Sequence, residues 1–136
     1  MANAAASIRV PASAEKVWDL AGGFNSLPDW LPGVTTSELG EGGRLRSICL
    51  ESGEIIVERL EYFDNQGRTY SYSITEGAFP VTDFFSIFTV LPDGENASIV
   101  EWSAEFTANG VSTQEAEAIF LGIYEDSLEF LKAKFV

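Results

Sequence analysis

Histidine is missing altogether from this chain of 136 residues. Its absence removes Ser-His-Asp and Cys-His nucleophile systems, most zinc sites and imidazole acid–base chemistry. Cysteine is nearly missing too. Cys49 stands alone, so no internal disulfide can form, which fits a reducing compartment. Positive charge is scarce: eight Lys and Arg, scattered singly, stand against 21 Asp and Glu, for a net charge of −13. A field of that sign repels nucleic acid and anionic lipid surfaces, so nucleic-acid binding is set aside. No apolar run approaches the roughly 18 residues of a membrane span. Met1 to Ala6 lacks the basic start and long apolar stretch of a signal peptide, and the expected location is cytoplasmic. No Gly-rich phosphate loop or dinucleotide fingerprint is present either, since Gly40-Glu41-Gly42-Gly43 connects strands rather than opening a helix. Neither a cofactor nor a metal site is expected. Any chemistry must run on carboxylates, Arg, Tyr, Ser or bound water.

What is present is a core. Hydrophobic residues make up 46% of the chain and aromatics 12%, enough for one domain over residues 1–136 and too much for disorder. Ala6 to Val10 reads as a short strand ended by Pro11. Ser13 then caps a helix carrying Val17, Trp18 and Ala21 on one face, and Gly22-Gly23 stops it. A second short helix covers Ser26 to Trp30. From Val34 the pattern changes to period two. Strands are expected near 34–39, 44–50, 54–63, 69–77, 83–91 and 97–107, joined by turns that suit antiparallel hairpins.

The last element is long. Ser112-Thr113-Gln114-Glu115 has capping-box form. After it Ala116, Ile119, Phe120, Ile123, Tyr124, Leu128, Leu131 and Phe135 recur at helical spacing, a helix of roughly 23 residues. The order is therefore β-α-α, six antiparallel strands and a helix. This is an α+β architecture, in which a seven-stranded antiparallel sheet must curl around the single long helix.

Strand parity identifies the inward face. It carries Tyr70, Tyr72, Phe84, Phe88, Trp102 and Phe106, interrupted by Ser86, Ser98 and Ala104, with Gly122 thinning the helix opposite. Large aromatics beside small residues leave room, and a partly apolar cavity with a few polar groups is the usual shape of a small-molecule site. Trp30, Tyr70, Tyr72, Phe84, Phe88, Trp102, Phe120 and Tyr124 are the candidate ligand contacts. Phe85, Ile87, Ile55 and Val57 face outward by the same parity, a candidate homodimer surface.

One charged pair breaks the apolar face. If Leu50 pairs with Glu54 across a three-residue loop with Gly53 left-handed, Arg46 lies directly opposite Glu58. Their neighbours of the same parity are Ile48, Leu50, Ile56 and Leu60. Such a pair is either a structural ion pair or a chemical site. Buried pairs often fail to stabilise relative to apolar replacements, which weakens a purely structural reason for keeping one. In the chemical reading Glu58 is the proton shuttle, and Arg46 holds it ionised and donates to a developing oxyanion.

Several stretches carry a family resemblance: Val10-Pro11-Ala12-Ser13-Ala14-Glu15-Lys16-Val17-Trp18, Pro28-Asp29-Trp30-Leu31-Pro32-Gly33-Val34, Val57-Glu58-Arg59-Leu60-Glu61 and Tyr70-Ser71-Tyr72-Ser73-Ile74. In this order the chain resembles the START/Bet v1-like (SRPBCC) superfamily, in its polyketide cyclase/dehydrase-like branch. The resemblance implies a helix-grip fold with a deep cavity between the long helix and the curved sheet. Position 31, often His in such sequences, is Leu here. A narrower resemblance is to lachrymatory factor synthase, whose catalytic Arg and Glu match Arg46 and Glu58. Its catalytic Tyr follows an acidic residue where this chain has Asp83-Phe84, and the missing hydroxyl argues against identical chemistry. Two functional readings follow. One is a cofactor-free cyclase, dehydratase or isomerase acting on a hydrophobic oxygenated molecule. The other is a non-catalytic carrier of a lipid or hydrophobic metabolite.

Overall fold

Pro11 ends strand β1 (Ala2–Val10), and the chain turns at once into helix α1 (Ala14–Ala21). The Ser13 hydroxyl caps that helix, accepting from the Lys16 backbone N–H at 3.2 Å. Helix α2 (Leu27–Trp30) is a single turn with Pro28 at its start. The computed structural model describes residues 1–136, and from Val34 onward strands follow one another. They are β2 (Val34–Gly40), β3 (Leu45–Leu50), β4 (Ile55–Asp64), β5 (Thr69–Glu76), β6 (Val81–Pro92) and β7 (Ser98–Ala108). Helix α3 (Thr113–Ala133) closes the chain, and its capping serine, Ser112, accepts from the Glu115 N–H at 3.1 Å.

All pairings are antiparallel, in the sheet order β1-β7-β6-β5-β4-β3-β2. Register shifts once between β2 and β3, twice between β4 and β5 and once between β6 and β7 bend the ribbon. At the β6 shift Asp83 takes φ +54°, and the residue after it, Phe84, is buried. Helix α3 rests on β1 and β7, so the sheet wraps it from one end. This is the helix-grip architecture expected from the pattern of elements.

Two readings of the elements are corrected. Strand β1 begins at Ala2, not Ala6, and pairs with β7 along its whole length from Ala2 opposite Phe106. Its start, Ala2-Asn3-Ala4-Ala5, carries alanine on both faces beside a single Asn, an alternation that hydropathy does not register. Ala2 and Ala4 are nonetheless buried, and the Asn3 N–H donates to the Glu117 carboxylate of α3 at 3.0 Å. On α3 the buried stripe runs through Ala116, Phe120, Tyr124, Ser127, Leu128 and Leu131, while Ile119 is exposed. Gly122 lies off that stripe, and a Cβ there would meet nothing.

Candidate functional site

The β3–β4 hairpin sets the site. Gly53 takes φ +90° in its turn, a conformation that favours glycine, and its N–H donates to the Leu50 carbonyl at 2.9 Å. The Leu50 N–H donates to Glu54 at 2.9 Å, and this register puts Arg46 opposite Glu58. Both side chains turn inward.

Arg46 is 0% exposed. Its Nε donates to Glu58 Oε1 at 2.7 Å, and Nη2 approaches the same oxygen at 2.7 Å without an N–H aligned on it. Nη1 donates to the Phe24 backbone carbonyl at 2.6 Å. The guanidinium carbon lies 4.2 Å from the Phe24 ring centre and 4.8 Å from that of Tyr72, so rings cover the cation. Burial alone would pull the guanidinium pKa down. The Glu58 charge and the Tyr70 and Tyr72 phenols outweigh it, and Arg46 stays charged.

Glu58 responds differently. Burial pushes its carboxyl above the ordinary 4.5, against the opposing charge and hydrogen bond of Arg46. Both contacts with Arg46 fall on Oε1, which leaves Oε2 without a hydrogen bond in the protein. The result is a carboxylate held by one oxygen and open at the other.

Beside this pair lies a cavity of about 380 Å³. Ile48, Ile56 and Ile74 form its wall on the sheet side, with Phe120 and Tyr124 on the helix side. Pro32, Gly33, Glu51, Ser52 and Phe79 contribute to the rim, and two rim loops are tied by the Glu51 N–H donating to the Gly33 carbonyl at 2.8 Å. Arg46 and Glu58 border the cavity, although no Arg46 surface is exposed within it.

Of the expected ligand contacts, Tyr72, Phe84, Trp102, Phe120 and Tyr124 border the cavity. Trp30, Tyr70 and Phe88 do not border it. The aromatic cluster itself covers them. Trp30 packs on Phe88 and Trp102 at 5.6 and 5.7 Å, and Tyr70 lies among Trp18, Phe24, Phe63 and Phe88. Phe24 escaped the sequence reading, because it sits between two helices where no periodicity marks it. Ser86, seen only as a small residue, turns out to be a hydrogen-bond hub. Its Oγ donates to the Ser103 carbonyl at 2.8 Å, contacts Tyr124 Oη at 2.9 Å and accepts from Trp102 Nε1 at 3.1 Å. Trp102 Nε1 also reaches Tyr72 Oη at 3.2 Å. Tyr124 stacks on Trp102 at 4.2 Å. Burial keeps the Tyr72 and Tyr124 phenols protonated well beyond neutral pH.

A family model described as polyketide cyclase/dehydrase and lipid transport matches residues 1–136. The chain belongs to that family. Among solved structures, the protein XoxI from Bacillus cereus is 48% identical, with 99% of this chain and 96% of that one covered, at a TM-score of 0.97. The Zhui aromatase/cyclase from Streptomyces sp. R1128 is 14% identical over 97% of this chain and 92% of that one, at a TM-score of 0.78. A START superfamily protein from Mycobacterium smegmatis is 16% identical over 98% and 96%, at a TM-score of 0.71. These last two share the fold alone. No curated protein matches the sequence. No helix is long and apolar enough to cross a membrane.

Proposed function

We propose that this helix-grip protein binds a hydrophobic, oxygenated small molecule and catalyses its cyclisation, dehydration or isomerisation without a cofactor, with Glu58 as the proton-transferring base. One observation carries the reading: Arg46 occupies only Oε1 of Glu58, and the carboxylate borders an apolar cavity with Oε2 unpartnered. A general base must reach its proton directly, and a carboxyl raised by burial is a stronger base once ionised. Arg46 acts as a positioning residue. Its Nε and Nη1 donate within the protein and it has no exposed surface, so donation to a substrate oxyanion, expected from the sequence, finds no support.

The experiment is proton exchange. β-Tetralone, an enolisable bicyclic ketone, is incubated with the protein in deuterated buffer and its α-deuteration followed by NMR. The wild type is expected to accelerate exchange. Glu58→Gln should remove about 10²–10⁴ of that acceleration, the usual contribution of a positioned base, at a temperature where the variant, its melt lowered because Arg46 loses its countercharge, is still folded and binds the ketone. An unchanged rate in the variant rejects Glu58 as base. The family description also includes lipid transport, and saturable binding without exchange in either protein would favour carriage.

A further inference from the structure

We infer that the cavity selects uncharged ligands that present a hydrogen-bond acceptor to the Tyr72 hydroxyl, and that it turns away carboxylates and phosphates. The inference rests on reading this cavity as the ligand site and does not require Glu58 to act as a base.

The exclusion of anions follows from counting cations. Arg46 is the only Lys or Arg that borders the cavity. Its Nε donates to Glu58 and its Nη1 to the Phe24 carbonyl, while Nη2 is buried against Glu58 Oε1. Rings cover the guanidinium and none of its surface is exposed. The remaining charges that border the cavity are negative: Glu58 within it and Glu51 at the rim. A carboxylate or phosphate entering here would shed its hydration, gain no countercharge and face two acids.

The acceptor requirement follows from counting protons. Ser86 has one hydroxyl proton, given to the Ser103 carbonyl, so Tyr124 must be the donor in its 2.9 Å contact with Ser86. Trp102 Nε1 is shared between Ser86 and Tyr72, which makes Tyr72 an acceptor there. No acceptor in the protein takes the Tyr72 proton at full hydrogen-bond geometry; the Tyr124 oxygen, whose own proton goes to Ser86, is its nearest partner and the one a ligand acceptor would replace, and Tyr72 borders the cavity one strand away from Glu58. The other hydroxyls on the wall, Ser52 and Ser127, are uncharged as well. Burial holds the Tyr72 phenol in its protonated form. A ligand carbonyl meets the Tyr72 hydroxyl as an acceptor without bringing a charge. The chemical class is thus a neutral carbonyl compound on an apolar ring system.

Matched naphthalene probes test this. Methyl naphthyl ketone, naphthoate and naphthalene are each titrated into the protein at mildly alkaline pH, where naphthoate is an anion, and binding is read by ligand-detected NMR. The ketone should bind saturably and at least about tenfold more tightly than naphthoate. Tyr72→Phe should weaken the ketone about three- to tenfold, the range of one hydrogen bond, and leave naphthalene unchanged. Trp102 Nε1 keeps Ser86 as acceptor in that variant, so the fold is expected to hold, and the wild-type comparison of ketone with naphthoate does not depend on it. Naphthoate binding as tightly as the ketone, a ketone indifferent to Tyr72→Phe, or a ketone that does not bind at all overturns the inference. Ketone binding without Glu58-dependent exchange removes the base role and leaves the selectivity standing. Equal binding of naphthoate with Glu58-dependent exchange does the reverse.

Discussion

Arg46 places a full charge where water does not reach, and its partners show what that arrangement costs. Glu58 neutralises it, the Phe24 carbonyl takes a second hydrogen bond, and two rings cover its faces. Removing one member of such a pair strands the other. Arg46→Met is expected to destabilise the fold by about 3–5 kcal/mol, because Glu58 is then left buried without its cation. The double replacement Arg46→Met with Glu58→Met should recover most of that loss. What remains should be about 1–3 kcal/mol for the Phe24 carbonyl left without its donor. Urea midpoints of the wild type, both single variants and the double variant measure this cycle. A double variant no more stable than Arg46→Met would make the pair a structural necessity of the fold. Recovery in the double variant means that apolar residues would hold the sheet together as well, and the reason for the pair then lies in the cavity that Glu58 borders.

Elements decide which residues meet, and here the decisive element is a three-residue turn. The hairpin register depends on Gly53 at φ +90°, where a Cβ would meet no atom yet the backbone would be strained. Gly53→Ala should therefore cost about 1–2 kcal/mol through the left-handed backbone alone, seen as a lower melting temperature with the cavity intact. A larger loss together with lost ketone binding would mean that the register itself had slipped. The same turn explains why the Arg46–Glu58 pairing was legible in the sequence: loop length, glycine position and period-two alternation all specify one register. Strands β2 to β7 were legible for that reason, and α3 from its capping serine and apolar spacing. The start of β1 was hidden, because alanines on both faces of Ala2-Asn3-Ala4-Ala5 carry no hydropathy signal. The cavity was legible only in part. Parity tells which side chains point inward but not which of them a second layer covers, so Tyr70 and Phe88 read the same as Tyr72 and Phe84. Phe24 was invisible because it lies between two helices where no periodicity marks it, although both its carbonyl and its ring meet Arg46.

On the scale of the whole molecule, acidity and the buried carboxyl act on stability in the same direction. With 21 acidic and eight basic residues the folded chain repels itself more strongly as carboxyls ionise, and salt should relieve part of that in any variant. Glu58 adds its own contribution. Its folded pKa lies above the ordinary 4.5, so the folded state binds this proton more tightly than the unfolded chain does. The stability it contributes is fully present below 4.5 and is lost as pH rises through the raised value. In Glu58→Gln nothing titrates at that position, while the surface repulsion is unchanged. The difference in unfolding free energy, wild type minus variant, should therefore fall with rising pH across that window and level off on either side. Chemical denaturation of both proteins at a series of pH values and constant ionic strength measures it. A difference that grew with pH instead would mean that Arg46 holds Glu58 below its ordinary value and that burial is the weaker influence. The proposed exchange reaction should move in the opposite sense, rising through the same window as Oε2 becomes able to accept a proton. If Glu58 is the base, one group both lowers stability and raises rate, and the midpoint of the rate must fall at the upper end of the stability window, where the stability difference levels off.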